Sequence, residues 1–204
     1  MRIAIPVVLV SFLLAACAGE ARYNPLADYD EVGATTILDA PKPAPGSYAP
    51  EHRFVVSRGK YLVELLGCGA CHTDGALEGA PNPDMALAGS HIGIAYSNPL
   101  GDDRPGIVWP PNITPDVETG IGSWSDQQIA DALTAGIGRH GQRRIAVMPW
   151  QGYAKLNDED TAAIVSYLRS IEPVHHRVPG EVAPGQKAKA PFVYLGIYRS
   201  RQAE

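Results

Sequence analysis

Apolar positions fall into a helical rhythm at three places along the chain. The first is Phe54 to about Leu66, where Val55, Leu62 and Leu66 share one face and Phe54, Tyr61 and Leu65 lie beside it. Gly67 can end that helix. Gly59 inside it costs about 1 kcal/mol relative to alanine, a cost that a close packing contact would justify. The second helix opens on Ser125-Asp126-Gln127-Gln128, the spacing of a capping box. It carries Ile129, Ala132 and Leu133 on one face and stops at Gly136. The third starts at Asn157 or Asp158 with acids in its first turn, where the helix dipole favours them. It continues through Ile164, Val165, Leu168 and Ile171 and ends before Pro173. No alternating strand pattern of useful length is seen. Residues 73–123 contain 8 glycines and 7 prolines in 51 positions, too many for long helices. A loop of that length in a compact domain usually wraps something. The pattern predicts an all-α domain with long Pro/Gly-rich loops.

The two ends read differently. Arg2 precedes an apolar run from Ile3 to Ala16, too short for a bilayer span of roughly 20 residues and built like a secretory signal. The run closes on Leu14-Ala15-Ala16-Cys17, which resembles the lipobox of bacterial lipoproteins, whose cysteine is acylated. The rival is an ordinary signal with a cysteine near its end. The expected organisation is a signal peptide over 1–16, a lipidated Cys17 and Pro-rich linker over 17–53, a domain over 54–172 and a tail over 173–204. The linker segment Asp39–Pro50 reads as a semi-rigid, extended tether. This organisation predicts an exported protein, anchored through Cys17 on the periplasmic side of a membrane. The tail holds a short apolar stretch, Phe192 to Tyr198.

Composition narrows the chemistry. With 45% apolar and 19% charged residues in 204, the chain is too apolar to be wholly disordered. A formal charge of −5 leaves nothing basic to neutralise phosphates, so nucleic acid is excluded as a partner. Three cysteines cannot build a disulfide-dense scaffold or a four-cysteine zinc site.

Two of those cysteines stand in Cys68-Gly69-Ala70-Cys71-His72. This is the C-x-x-C-H spacing of covalent haem c attachment. Two thiols three positions apart at a helix end can each add to one haem vinyl group, which brings the next residue, His72, under the iron. A thioredoxin-like reading needs a preceding strand in a βαβ unit, and no such pattern is visible. Zinc needs a fourth ligand, and a plain disulfide does not explain His72. A second axial ligand is expected from Met148, on a short loop stiffened by Pro149, with Met85 and His91 as fallbacks. Core filling is the rival role for Met148. Trp150, Tyr153, Asn112 and Arg143 or Arg144 are candidates to touch the haem, against plain packing or solvated surface.

The segment Arg53–Val174 resembles a class I cytochrome c domain, most of all the haem modules in cytochrome subunits of bacterial membrane-bound alcohol and aldehyde dehydrogenases. The resemblance rests on Arg58–Leu62, Gly67–Thr73, Asn112–Asp116, Thr119–Asp126, Met148–Trp150 and Tyr167–Ser170. It implies three to five helices around one haem, with the first and last helices crossing near Gly59 and Tyr167. It also implies an electron carrier rather than an enzyme. Its partners would be a redox donor and acceptor, a membrane-bound dehydrogenase or oxidase among them. Those subunits usually carry several C-x-x-C-H motifs, whereas this chain has one. The alternative function is a haem sensor or peroxidase-like enzyme with a displaceable sixth ligand.

Overall fold

The computed structural model describes residues 38–96, 106–142 and 147–195. The signal peptide, Cys17, Arg143 and Arg144 lie outside the described residues. The described residues form five α-helices: α1 (Arg53–Leu65), α2 (Gly69–His72), α3 (Asp126–Ala135), α4 (Trp150–Tyr153) and α5 (Asp158–Ser170). None of the described helices is long and apolar enough to cross a membrane.

The long helices start and stop where the sequence predicts. Ser125 caps α3 with both bonds of a capping box, and Gly136 closes it at φ 64°. Asn157 caps α5 by accepting the Asp160 N–H at 2.7 Å. The buried face of α1 differs from expectation. It is Val56, Gly59, Leu62 and Val63, while Phe54, Val55, Tyr61 and Leu65 are exposed. The reason is the crossing with α5. A Cβ on Gly59 would lie 2.0 Å from the Ala163 carbonyl oxygen and 2.6 Å from Tyr167 Cβ, so α5 can approach only along the glycine's side of α1.

The proline-rich segment is not a free tether. Ala40 is buried, and its N–H donates to Glu64 Oε1 at 3.0 Å. The Tyr167 hydroxyl donates to the Pro41 carbonyl at 2.7 Å, and the Ala44 N–H donates to the Ser170 carbonyl at 2.7 Å. These bonds lay residues 38–48 as a strap across α1 and α5. Burial raises the Glu64 carboxyl's pKa, but the Lys60 ammonium and the Ala40 N–H outweigh it and hold the group below the usual carboxylate range.

A three-stranded sheet accompanies the helices, so the all-α expectation holds only for the helical part. Its strands are β1 (Gly93–Tyr96), β2 (Gly106–Val108) and β3 (Phe192–Leu195), in the order β2-β1-β3. β1 is antiparallel to β2 and parallel to β3, with Gly93 opposite Phe192. The tail therefore belongs to the fold. Ala95, Ile107 and Trp109 form a second small core, covered by Val178, Val182, Ala188 and Ala190. Gly93 is required there, because a Cβ would meet the Trp109 ring at 2.7 Å.

Candidate haem-binding site

The site begins where α1 ends. Gly67 turns the chain at φ 67°, and the Cys68 N–H still donates to the Val63 carbonyl at 3.1 Å, so α2 hangs directly from α1. In α2 the His72 N–H donates to the Cys68 carbonyl at 3.0 Å, which sets the two thiols and the imidazole on one helical turn. Both thiols are free. Burial pushes the Cys68 thiol up to about 11 and raises Cys71 as well. A dithiol redox centre needs the opposite, a depressed thiolate pKa. Among the described residues no group of three or more His, Cys, Asp or Glu side chains is placed to hold a metal ion, so the zinc reading finds no ligand set.

His72 is held from outside the helix. Its Nδ1 lies 2.8 Å from the Pro111 carbonyl oxygen; the carbonyl can only accept, so Nδ1 carries the proton. That leaves Nε2 as the lone-pair nitrogen. Burial lowers the His72 pKa against the opposing effect of the Pro111 carbonyl, and so favours the neutral ring. A neutral, oriented imidazole following two neutral thiols fits covalent haem c attachment.

The backbone around His72 is tied on two sides. The Gly89 N–H donates to the His72 carbonyl at 2.8 Å, and the Leu87 N–H donates to Thr73 Oγ1 at 3.2 Å. Leu87 is the one described non-glycine residue with positive φ, at 61°, although it is buried. That conformation costs about 1–3 kcal/mol. Its carbonyl accepts from the Ile113 N–H at 3.0 Å, so the strained turn links the haem motif to the segment after Pro111.

The other sequence candidates divide. Cys68, Met148 and Tyr153 all pack against the main core. The Tyr153 hydroxyl donates to the Leu66 carbonyl at 3.2 Å, just before the motif. Burial, with both cysteines nearby, pushes its pKa up to about 12. Trp150 lies against Gly136, where a Cβ would come within 2.7 Å of the indole. Asn112 has protein partners on both amide atoms. It is buried, its Nδ2 donates to Val174 O at 2.7 Å and Thr119 Oγ1 at 3.0 Å, and its Oδ1 accepts from the Thr114 N–H and hydroxyl. The fallback His91 is half exposed and engages the Asp74 carboxylate. Met85 ends a short 3-10 turn, Pro83–Met85.

Sequence reasoning missed the Pro111 carbonyl, Leu87 and Arg169. Pro110-Pro111 was the available signal, since a proline pair cannot continue a ladder and presents rigid carbonyls. Arg169 donates to the carbonyls of Ile121, Gly122 and Trp124 and to Asp126 Oδ1, pinning that loop to α5.

A family model for cytochrome c matches residues 56–172. The chain is 33% identical over 164 residues to the fructose dehydrogenase cytochrome subunit of Gluconobacter japonicus, covering 78% of this chain and 29% of that protein. It is 34% identical over 121 residues to the cytochrome c subunit of a quinone alcohol dehydrogenase from Gluconobacter oxydans, covering 59% of this chain and 22% of the relative. It is 33% identical over 121 residues to the gluconate 2-dehydrogenase cytochrome c subunit of Pantoea cypripedii, covering 59% and 24%. The match spans less than a third of the length of each of these three relatives.

Proposed function

The chain belongs to the cytochrome c family, and from that premise we propose that it is a single-haem electron carrier, tethered through lipidated Cys17 on the periplasmic side of a membrane and serving a dehydrogenase. The observation that carries the site reading is the His72 ring. Its Nδ1–H is fixed on Pro111 and its other nitrogen is left for iron, one position after a pair of free thiols.

In this reading Cys68 and Cys71 would hold haem c through two thioethers, and His72 and Met148 would ligate its iron. Bound there, the group supplies a one-electron ferric/ferrous couple. The chain's own residues determine how that couple is used. The Pro111 carbonyl strengthens imidazole donation from His72. Met148, backed by the core and restrained by Pro149, keeps a soft thioether available that favours the reduced state. Tyr153 closes the site beside the cysteines by bonding Leu66. With His72 and Met148 both given to the iron, the chain would leave no place for a substrate to bind it, which suits a carrier. The relatives' names support a dehydrogenase as donor. The lipid tether rests on Leu14–Cys17.

Met148→Ala tests the ligand set. The variant is expected to lose the low-spin His/Met spectrum, to bind carbon monoxide in the ferrous state, and to drop in potential on the order of 0.1 V, within the ~0.8 V span that axial ligands command. Met85→Ala is expected to change none of these. A Met148→Ala protein with an unaltered low-spin spectrum removes Met148 from the iron. Rapid carbon monoxide binding by the unaltered protein would instead favour the sensor or peroxidase-like reading.

A further inference from the structure

The tail immediately after α5 does more than cover a surface. Val174 to His176 runs beside the segment that follows Pro111 and is hydrogen-bonded to it. The Val174 carbonyl accepts from Asn112 Nδ2 at 2.7 Å, and the Val174 N–H donates to Thr114 Oγ1 at 3.1 Å. The His176 N–H donates to Thr119 Oγ1 at 3.0 Å, the same hydroxyl that accepts from Asn112. The His176 ring bonds the Ala88 carbonyl through Nδ1 at 2.9 Å, which makes Nδ1 the protonated nitrogen.

Two of these bonds, those on Asn112 and Ala88, end one residue away from a direct partner of His72. Asn112 follows Pro111, whose carbonyl takes the His72 Nδ1–H. Ala88 precedes Gly89, whose N–H donates to the His72 carbonyl. The tail thus clamps both backbone segments that hold the imidazole and its helix end. Asn112 and Thr114 are buried, so the clamp works in a low-dielectric setting where such bonds are strong and a lost partner is costly.

We propose that Val174–His176 is a positioning segment for the iron ligand: through Asn112 and Ala88 it holds the Pro111 carbonyl on the His72 Nδ1–H and thereby sets the potential of the couple. This rests on His72 ligation as read above. A firm Nδ1–H bond makes the ring a better donor and favours ferric iron. Loosening it weakens the donor and raises the potential.

The test uses the holoprotein and two readouts, the midpoint potential by spectroelectrochemistry and the solvent exchange of the His72 Nδ1 proton by NMR of the ferrous form. Thr119→Val removes the hydroxyl shared by Asn112 and His176. His176→Leu removes the bond to Ala88 at a half-exposed position, where folding is expected to survive even if Thr119→Val does not fold. Both are expected to raise the potential and speed the exchange. His176→Asn restores an N–H at the place of Nδ1 and is expected to return both values toward those of the unaltered protein. Arg58→Gln, which breaks the surface pair with Asp160, is the control and leaves both unchanged. An unshifted potential and exchange rate in His176→Leu, with His72 ligation intact in its spectrum, overturns the role of the tail. A histidine-ligand signature missing from the unaltered protein instead overturns the ligand reading and leaves no His72 role for the tail to support.

Discussion

Gly59→Ala is expected to destabilise the domain by at least ~3 kcal/mol, the upper end of what overpacking a core costs. Two effects compete at this position. Alanine gains about 1 kcal/mol of helix propensity over glycine, and on an isolated helix it would stabilise. Here the added carbon would meet the Ala163 carbonyl oxygen at 2.0 Å, its carbon at 2.6 Å and Tyr167 Cβ at 2.6 Å. Two of those three atoms are backbone and cannot rotate away, so the helices must separate. Separation also loosens what hangs from them: Tyr167 holds the strap at Pro41, and the end of α1 holds Cys68. For a domain of this size the loss corresponds to roughly 6–12 °C in Tm. Thermal unfolding of the variant checks it. A Tm equal to or above that of the unaltered protein would mean that propensity wins and that α1 and α5 do not touch at Gly59.

Cys68→Ser with Cys71→Ser is expected to abolish covalent haem entirely. The purified variant should leave no haem-stained band on a denaturing gel, while either single variant keeps one thioether and a weaker band. The surroundings of the thiols say why no other use of them is expected. Burial raises Cys68 to about 11, so the thiol form dominates at pH 7. Exchange chemistry at such a thiol is slow. The Cys68 side chain is partly buried, at the start of α2, and packs against the same core as Tyr153. A band of full intensity from the double variant would refute covalent attachment at this motif.

The parts of this fold legible in the sequence are those written in local chemistry. Ser125 with Gln128, Gly136, Asn157 and Gly67 mark helix ends by hydrogen-bonding capacity or by tolerance of positive φ, and all four do so in the structure. The Cys68–His72 motif is equally local. What could not be read depends on distant partners. The buried face of α1 is set by where α5 crosses, so Val56 and Gly59 replaced the expected Val55 side. β1 and β2 are four and three residues long, and β1 is buried on Gly93, Ile94 and Ala95 alike, so no alternation is available to betray a strand. β1 also pairs in parallel with a strand about a hundred residues later. The strap looked like a tether because prolines favour extended chain either in water or on a surface, and only Pro41 and Ala44 meeting Tyr167 and Ser170 distinguishes the two. Asn112 was a candidate because its amide can hydrogen-bond a haem, and one of its partners, the Val174 carbonyl, lies some sixty residues away in the tail.

The central claim is that Cys68 and Cys71 carry one haem between them. Addition of each S–H across a vinyl group releases nothing, so the attached mass is that of the whole haem. Mass spectrometry of the tryptic peptide containing Cys68–His72, from denatured protein, tests this directly. The expected result is the peptide mass plus one haem, with neither cysteine open to alkylation. A peptide of unmodified mass with two alkylatable thiols would contradict it.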